Sequence, residues 1–372
     1  MTTGPDLADV SLPSRVAAPD EAVGADELGL AARNHGMPLE LLRHDLTPVG
    51  AHYLLTHYDI PYVAEQTFRL DVGGAVRTPL SLDLAAIRDR PAVTMPVTLE
   101  CAGNGRARFH PRPVSQPWLH EAVGTMAWTG TPLGPLLSEA GIDEDAVDVV
   151  FTGADHGIER GVEQDYARSL SVKAALDGDA LLAWGCNGVD LPPQHGAPLR
   201  LVVPGWYGMA SVKWLRSIKA VTEPFDGYQM RAYRMRQHSD EPGEALTLIA
   251  PRALMAPPGF PDFMSRTRVV RMGRHELEGR AWSGHGEITS VEVTVDSGAT
   301  WLPAKLDTPS GPFAWRRWTL PWEVDSAGRW ILSARAVDST GRAQPTELNE
   351  QHWNRGGFAN TSLQRVEVVV LG

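Results

Sequence analysis

Cysteine is nearly absent from this chain of 372 residues: only Cys101 and Cys186 occur. One pair makes no disulfide framework, and neither thiol stands in a CxxC or CxxCH pattern, which disfavours structural zinc and covalently attached haem. No run approaches the ~18 apolar residues that a membrane-spanning helix needs. The N-terminus lacks a basic region, an apolar stretch and a twin arginine. A cytoplasmic location is therefore expected, and a periplasmic one only if a leader has been removed. Positive charge is scarce as well, with 34 Lys and Arg against 45 Asp and Glu, a net charge of -11. That balance argues against a nucleic-acid or anionic-membrane binder, while a local cationic pocket stays open. HExxH, the GxSxG elbow and the Walker loop are all missing, which removes zinc hydrolysis, serine-hydrolase and P-loop chemistry from consideration.

Glycine (36), proline (29) and tryptophan (12) are abundant, marking a turn-rich protein rather than a helical bundle. With 43% hydrophobic and 21% charged residues, the chain can bury enough apolar surface to fold. Its length exceeds the point at which one core stops growing, so two domains are expected.

Residues 1–30 mix Pro, Gly, Asp and Ala without periodicity and read as a loose arm. Residues 51–58 and 68–72 look strand-like, with Gly73-Gly74 as a turn. A helix is expected over 81–88 with Ser81 as its N-cap, a strand over 93–100, helices over 133–140 and 167–176, and a buried strand over 199–203. This mixture lacks a regular βαβ repeat, so the fold class is α+β. Near residue 250 the helical patterns end. Strands with period-two alternation follow over 290–296, 313–320, 330–337 and 365–371, separated by turns, and together they indicate a small β-sandwich.

Two places carry candidate chemistry. Cys101 ends an apolar strand and enters the turn Ala102-Gly103-Asn104-Gly105, with Arg106 near enough in sequence to favour a thiolate; on these facts alone an inert buried thiol is the favoured reading. The second place runs from Asp190 through His195, Gly196 and Arg200 to Lys213. It sets one His, one Arg and one Lys among glycine-rich turns, a mixture suited to an anion, although three unrelated polar residues would read the same. His52 and His57, an odd number of residues apart in a strand-like stretch, are expected on opposite faces and so make a poor metal pair.

Thr98-Leu99-Glu100-Cys101-Ala102-Gly103-Asn104 resembles the molybdenum-binding segment of the sulfite oxidase family. Leu181-Leu182-Ala183-Trp184 with Asn187-Gly188, then His195-Gly196-Ala197-Pro198-Leu199-Arg200, Val202-Val203-Pro204-Gly205 and Val212-Lys213-Trp214-Leu215, resemble its cofactor-binding segments in order. Trp353-Asn354 followed by Arg365-Val366 is similar to the closing region of its dimerisation domain. The resemblance implies an N-terminal arm over 1–44, a molybdopterin-binding domain over 45–247 and an Ig-like β-sandwich dimerisation domain over 248–372. It also implies one molybdenum cofactor (Mo-molybdopterin) with Cys101 as the protein's only ligand to the metal. His57, Asp155, His195, Arg200 and Lys213 match positions that hold the pterin and its phosphate, and Tyr53, Tyr166, Ser169, Ser211 and Val212 join them. Arg106 and Trp118 match substrate-pocket residues.

Three departures stand out. A pocket arginine reads Leu55, a tyrosine beside the metal reads Trp184, and a further arginine falls on Gly356, with Arg355 next to it as a substitute. The implied function is oxidation of sulfite to sulfate by oxygen-atom transfer. The departures motivate an alternative: another S- or N-oxo substrate, as in a sulfane dehydrogenase or an S-oxide reductase. No segment resembles a cytochrome b5 domain, so electrons are expected to pass to an external acceptor, a cytochrome or oxygen. A homodimer is expected, and neither nucleic acid nor membrane.

Overall fold

The computed structural model describes residues 6–12, 14–347 and 352–372. Two sheets, one mixed and one antiparallel, build the first unit. One runs Leu80–Leu82, Leu70–Gly74, Leu215–Val221, Asp148–Glu159 and Val162–Ser171, in that spatial order. Its only parallel pair is Leu70–Gly74 with Leu215–Val221. The other runs Val93–Glu100, Val123–Pro132, Leu181–Cys186 and Val189–Asp190, with Arg200–Val202 joining alongside Leu181–Cys186. The helix Leu133–Ala140 packs Leu133, Leu136, Leu137 and Ala140 into the core between them, at the i, i+3, i+4 spacing of a one-faced helix.

The second unit is a two-sheet β-sandwich. Four strands (Arg252–Met255, Gly273–Trp282, Arg316–Val324, Lys305–Leu306) face six (Phe260–Pro261, Arg268–Arg271, Val366–Leu371, Gly328–Asp338, Ile288–Thr294, Leu302–Pro303). Trp318 and Trp322 fill the core between the sheets, as alternating inward positions of two facing sheets should. The α+β fold with a terminal sandwich is thus observed. A separate apolar cluster joins the two units. Met37 and Leu42 from the N-terminal segment meet Ala102 and Val123 of the first sheet system and Leu254, Trp282, Trp315 and Phe358 of the second unit.

Several local expectations need correction. Residues 25–33 of the expected arm form a helix, Ala25–Arg33, whose Glu27 is buried. Residues 51–58 contain no strand; a 3-10 turn, Val49–Ala51, leads into irregular backbone. Residues 167–171 belong to the strand Val162–Ser171, and the helix starts only at Val172. Pairing with Asp148–Glu159 overrides the helical spacing there. The second helix is Leu84–Arg88, and Asp83, not Ser81, caps it by accepting from the Ala86 N–H at 2.8 Å. Ser81 lies in the strand Leu80–Leu82. Among the described residues no helix is long and apolar enough to cross a membrane.

The cap correction has a direct test. Asp83→Ala should lower stability by about 1 kcal/mol, the usual worth of an N-cap, and Ser81→Ala should stay within about 0.5 kcal/mol. Urea denaturation midpoints of the two variants distinguish the assignments.

Candidate active site

The strand Val93–Glu100 becomes fully buried from Val97 onward and delivers Cys101 to the floor of a cavity of about 690 Å³. The turn after it closes with the Asn104 N–H donating to the Cys101 carbonyl and the Cys101 N–H donating to Ala122 O, both at 2.9 Å. Gly105 sits at φ 89°, and a Cβ there would come within 2.9 Å of Asn360, so the bend needs glycine. Burial raises the Cys101 thiol pKa. The Arg106 charge, the Gly103 N–H and the Trp118 indole N–H act against that rise.

The opposite wall is cationic. His195 ends the 3-10 turn Pro193–His195, and burial, aided by His52, drives its pKa down to about 2, so the ring is neutral. Arg200 opens the strand Arg200–Val202 and donates to His195 O at 3.0 Å and Ser211 O at 3.1 Å, its guanidinium 4.7 Å from the Trp128 ring centroid. Lys213 Nζ donates to Leu55 O at 2.9 Å and Gln194 O at 3.1 Å, above the Trp214 ring. Gly196, at φ 106°, lets these elements converge, because a Cβ would meet Lys213 Cβ at 2.9 Å and Arg200 Cβ at 3.1 Å.

Asp155 faces Lys213 from a register shift between Thr152 and His156 in the strand Asp148–Glu159, the kind of bulge that re-aims a side chain. Its Oδ1 is buried without a partner. Burial raises its pKa to about 6, against the pull of Lys213. Tyr166 donates its hydroxyl to Met209 O at 2.8 Å. His57 bonds Glu159 through Nε2 at 2.8 Å. Burial alone would raise the Glu159 pKa, and the hydrogen bond and charge of His57 lower it instead.

Of the residues expected at the site, Cys101, Tyr53, His57, Asp155, Tyr166, His195, Arg200, Ser211 and Lys213 line this one cavity, together with Leu55. Arg106 and Trp118 stand beside Cys101, behind its wall. Arg106 is buried and donates to Gly356 O and Gln116 O, both at 3.1 Å. Four residues fall elsewhere. Trp184 follows Leu182 on the strand face that packs into the helix-bearing core, while Leu181 and Ala183 face the Cys101 side. Ser169 is three residues from Tyr166 on a regular stretch of strand, which puts it on the other face, where it donates to Asp148. Val212 is core and does not line the cavity. Arg355 is not part of the lining, and its backbone N–H donates to Arg236 O.

His52, Tyr233, Gly208 and Met209 line the cavity without having been singled out for it. His52 and His57 share the cavity because the chain between them is not a strand. His52 Nε2 is buried and unpartnered, and burial lowers its pKa to about 4. Tyr233 stacks on Phe358 at 5.0 Å and lies near enough to Cys101 to feel its charge. It therefore supplies the cavity with a tyrosine that Trp184 does not replace.

These residues fit the cofactor that the sequence resemblance implies. A soft thiolate meets the cavity at one end, and two cations stand ready for a phosphate. The unpartnered Asp155 Oδ1 and His52 Nε2 remain for the polar edge of a fused ring. Without that anion, the Lys213 ammonium is held down to about 7, first by burial and then by Arg200. The unfolded chain, with lysine at its ordinary 10.5, then binds more protons than the folded one above about pH 7. The stability of the cofactor-free chain should rise with pH through that window. Lys213→Met should flatten the rise in thermal melts; equal slopes for the two proteins would refute the assignment.

Residues 57–229 match the family model described as oxidoreductase molybdopterin binding domain, and residues 263–371 match the Mo-co oxidoreductase dimerisation domain. Sulfite oxidase of Gallus gallus is 34% identical over 349 residues, covering 88% of this chain and 74% of that protein. Nitrate reductase [NADH] 1 of Oryza sativa subsp. japonica is 32% identical over 90% of this chain, but the match covers only 39% of that longer protein. The crystal structure of the sulfane dehydrogenase SoxCD from Paracoccus pantotrophus superposes with a TM-score of 0.78 at 25% identity, covering 98% of this chain and 95% of that one. With both domain matches in the expected order and a relative aligned over most of its length, the chain belongs to the sulfite oxidase family of molybdopterin-dependent oxidoreductases.

Proposed function

We propose that this enzyme oxidises sulfite, with water, to sulfate, two protons and two electrons, and that the electrons pass to a separate acceptor such as a cytochrome or oxygen. The observation that carries this reading is the Arg106 guanidinium held beside Cys101. Its Nε and Nη1 are anchored on carbonyl oxygens and its charge acts on the thiol. The molybdenum cofactor, when bound, supplies two-electron oxygen-atom transfer, with the Cys101 thiolate as its protein ligand.

The chain's own residues do the rest. Arg200 and Lys213 hold the cofactor's phosphate, and Asp155, His57 and His195 hold the pterin. Arg106, behind the wall beside Cys101, adds positive charge that attracts the oxyanion. Tyr233, whose pKa burial raises, stays protonated and donates a hydrogen bond. Leu54, Leu55 and Met209 keep the remaining wall apolar and limit water. The sandwich serves as the contact between two copies of the chain, in keeping with the dimerisation-domain match.

A second reading has its own observation: Leu55 lines the cavity where the resemblance calls for an arginine. One cation fewer favours a substrate of lower charge, an S- or N-oxo compound, turned over in either direction.

Sulfite titration of the holoprotein separates the two readings. Millimolar sulfite should bleach the oxidised metal's absorption and support turnover with an added acceptor. Absence of bleaching, with turnover of an S-oxide or N-oxide by reduced viologen, would establish the second reading. Charge-assisted hydrogen bonds are worth ~1.5–3 kcal/mol. Arg106→Met should accordingly raise KM for sulfite by about 10- to 150-fold, and Leu55→Arg should lower it.

A further inference from the structure

Directly before Cys101, the Glu100 side chain is almost fully buried and is gripped from the sandwich. Arg252 Nη1 donates to its Oε1 at 2.8 Å and the Trp282 indole N–H donates to its Oε2 at 2.8 Å. Arg252 and Trp282 are register partners on the adjacent strands Arg252–Met255 and Gly273–Trp282. Two neighbouring side chains of one sheet edge therefore meet the two oxygens of one carboxylate. The same guanidinium donates through Nη2 to His120 Nδ1 at 2.8 Å and through Nη1 to Asn360 O at 3.0 Å. Burial and the Arg252 charge keep His120 neutral, as an acceptor must be.

Four further bonds in this network involve the turn that carries Cys101. Asn104 Nδ2 donates to Glu100 Oε1 at 2.9 Å, and Asn104 Oδ1 accepts from the Ala122 N–H at 3.1 Å. Asn360 Nδ2 donates to Gly105 O at 2.8 Å, and the Ala359 N–H donates to Ala102 O at 2.8 Å. Four residues of the second unit thus fix the backbone on both sides of one thiol. A charge pair that only joined the two units would not need to sit here, because the apolar cluster around Trp282, Trp315 and Phe358 already joins them.

We propose that Glu100, held by Arg252 and Trp282, is a positioning residue for the Cys101 thiolate, so that the β-sandwich sets the geometry of the metal's protein ligand. This rests on Cys101 being that ligand, and the experiment tests the two claims separately. Holoproteins of E100Q, R252K and N360A are compared with wild type by visible absorption and by EPR of the one-electron-reduced metal. C101S is the reference for loss of the ligand. W315F is the structural control, because Trp315 Nε1 donates to Asp45 O at 2.7 Å across the same junction and packs beside Trp282, yet none of its hydrogen bonds reaches Glu100, Arg252 or Asn360.

The thiolate-to-metal band should vanish in C101S. It should shift, together with the g-values, in E100Q and N360A, and shift less in R252K, which keeps the charge. It should be unchanged in W315F. Metal content or kcat should fall about 10- to 100-fold in E100Q, the range for residues that orient a metal ligand. Retention of the band in C101S refutes the ligand assignment itself. Loss in C101S with wild-type spectra in E100Q, R252K and N360A overturns the positioning role and leaves the network as a structural tie, whatever happens to thermal stability.

Discussion

Two basic side chains, Arg200 and Lys213, line one cavity, and the rest of the site is arranged around that fact. Desolvating each ion costs several kcal/mol, and burial pulls the Arg200 pKa down to about 10. The hydrogen bonds found for both end on backbone carbonyls, those of Leu55, Gln194, His195, Leu201 and Ser211, while ring faces of Trp128 and Trp214 carry part of the charge. Carbonyl dipoles hold a cation in place without neutralising it. A carboxylate would have cancelled the charge that an incoming phosphate needs. Asp155, the acid that faces Lys213, is itself pushed toward its neutral form, which preserves the imbalance.

That requirement explains local features that would otherwise be isolated irregularities. Gly196 is needed because His195, Arg200 and Lys213 arrive from three directions in too little space for a Cβ. The bulge before His156 turns Asp155 inward from a strand whose pattern would otherwise continue. The lack of a strand over residues 52–58 lets His52 and His57 reach the same cavity. Each of these is a departure from regular structure, and such departures gather where a fold must point several polar groups at one space.

The same distinction marks what could be read from the residues alone. Regular elements with strong patterns were legible: 93–100 and 133–140 coincide with the observed strand and helix, and the alternating strands beyond 288 pair as a sandwich. Most of the residues that line the cavity were reached because short motifs keep their order along the chain. Failures came where tertiary pairing decides. Residues 167–171 have helical spacing yet complete a sheet, and Trp184 and Ser169 lost their places through strand alternation about a face that no local pattern identifies. Tyr233 was invisible for a different reason. It sits in no motif, just beyond a five-residue helix, and only the packing of Phe358 from the far end of the chain brings it to the thiol.

On the proposed reading, cofactor retention and substrate choice rest on different parts of the molecule. Arg200, Lys213 and His195 come from one continuous stretch of the first unit, which can keep its charge pattern whatever the substrate. The groups near Cys101 come from separated segments: Leu55 from the N-terminal loops, Arg106 from the turn after the thiol, Tyr233 from beyond the last strand of the first sheet. Arg106 is in turn anchored on Gly356 and faces the Phe358 ring at 5.4 Å. One substitution in any of these segments changes the charge met by a substrate without disturbing the phosphate cradle. On that reading an exchange at position 55 alters the charge a substrate meets while fold and cofactor site stay fixed, in keeping with one scaffold serving proteins named for sulfite, nitrate and sulfane chemistry.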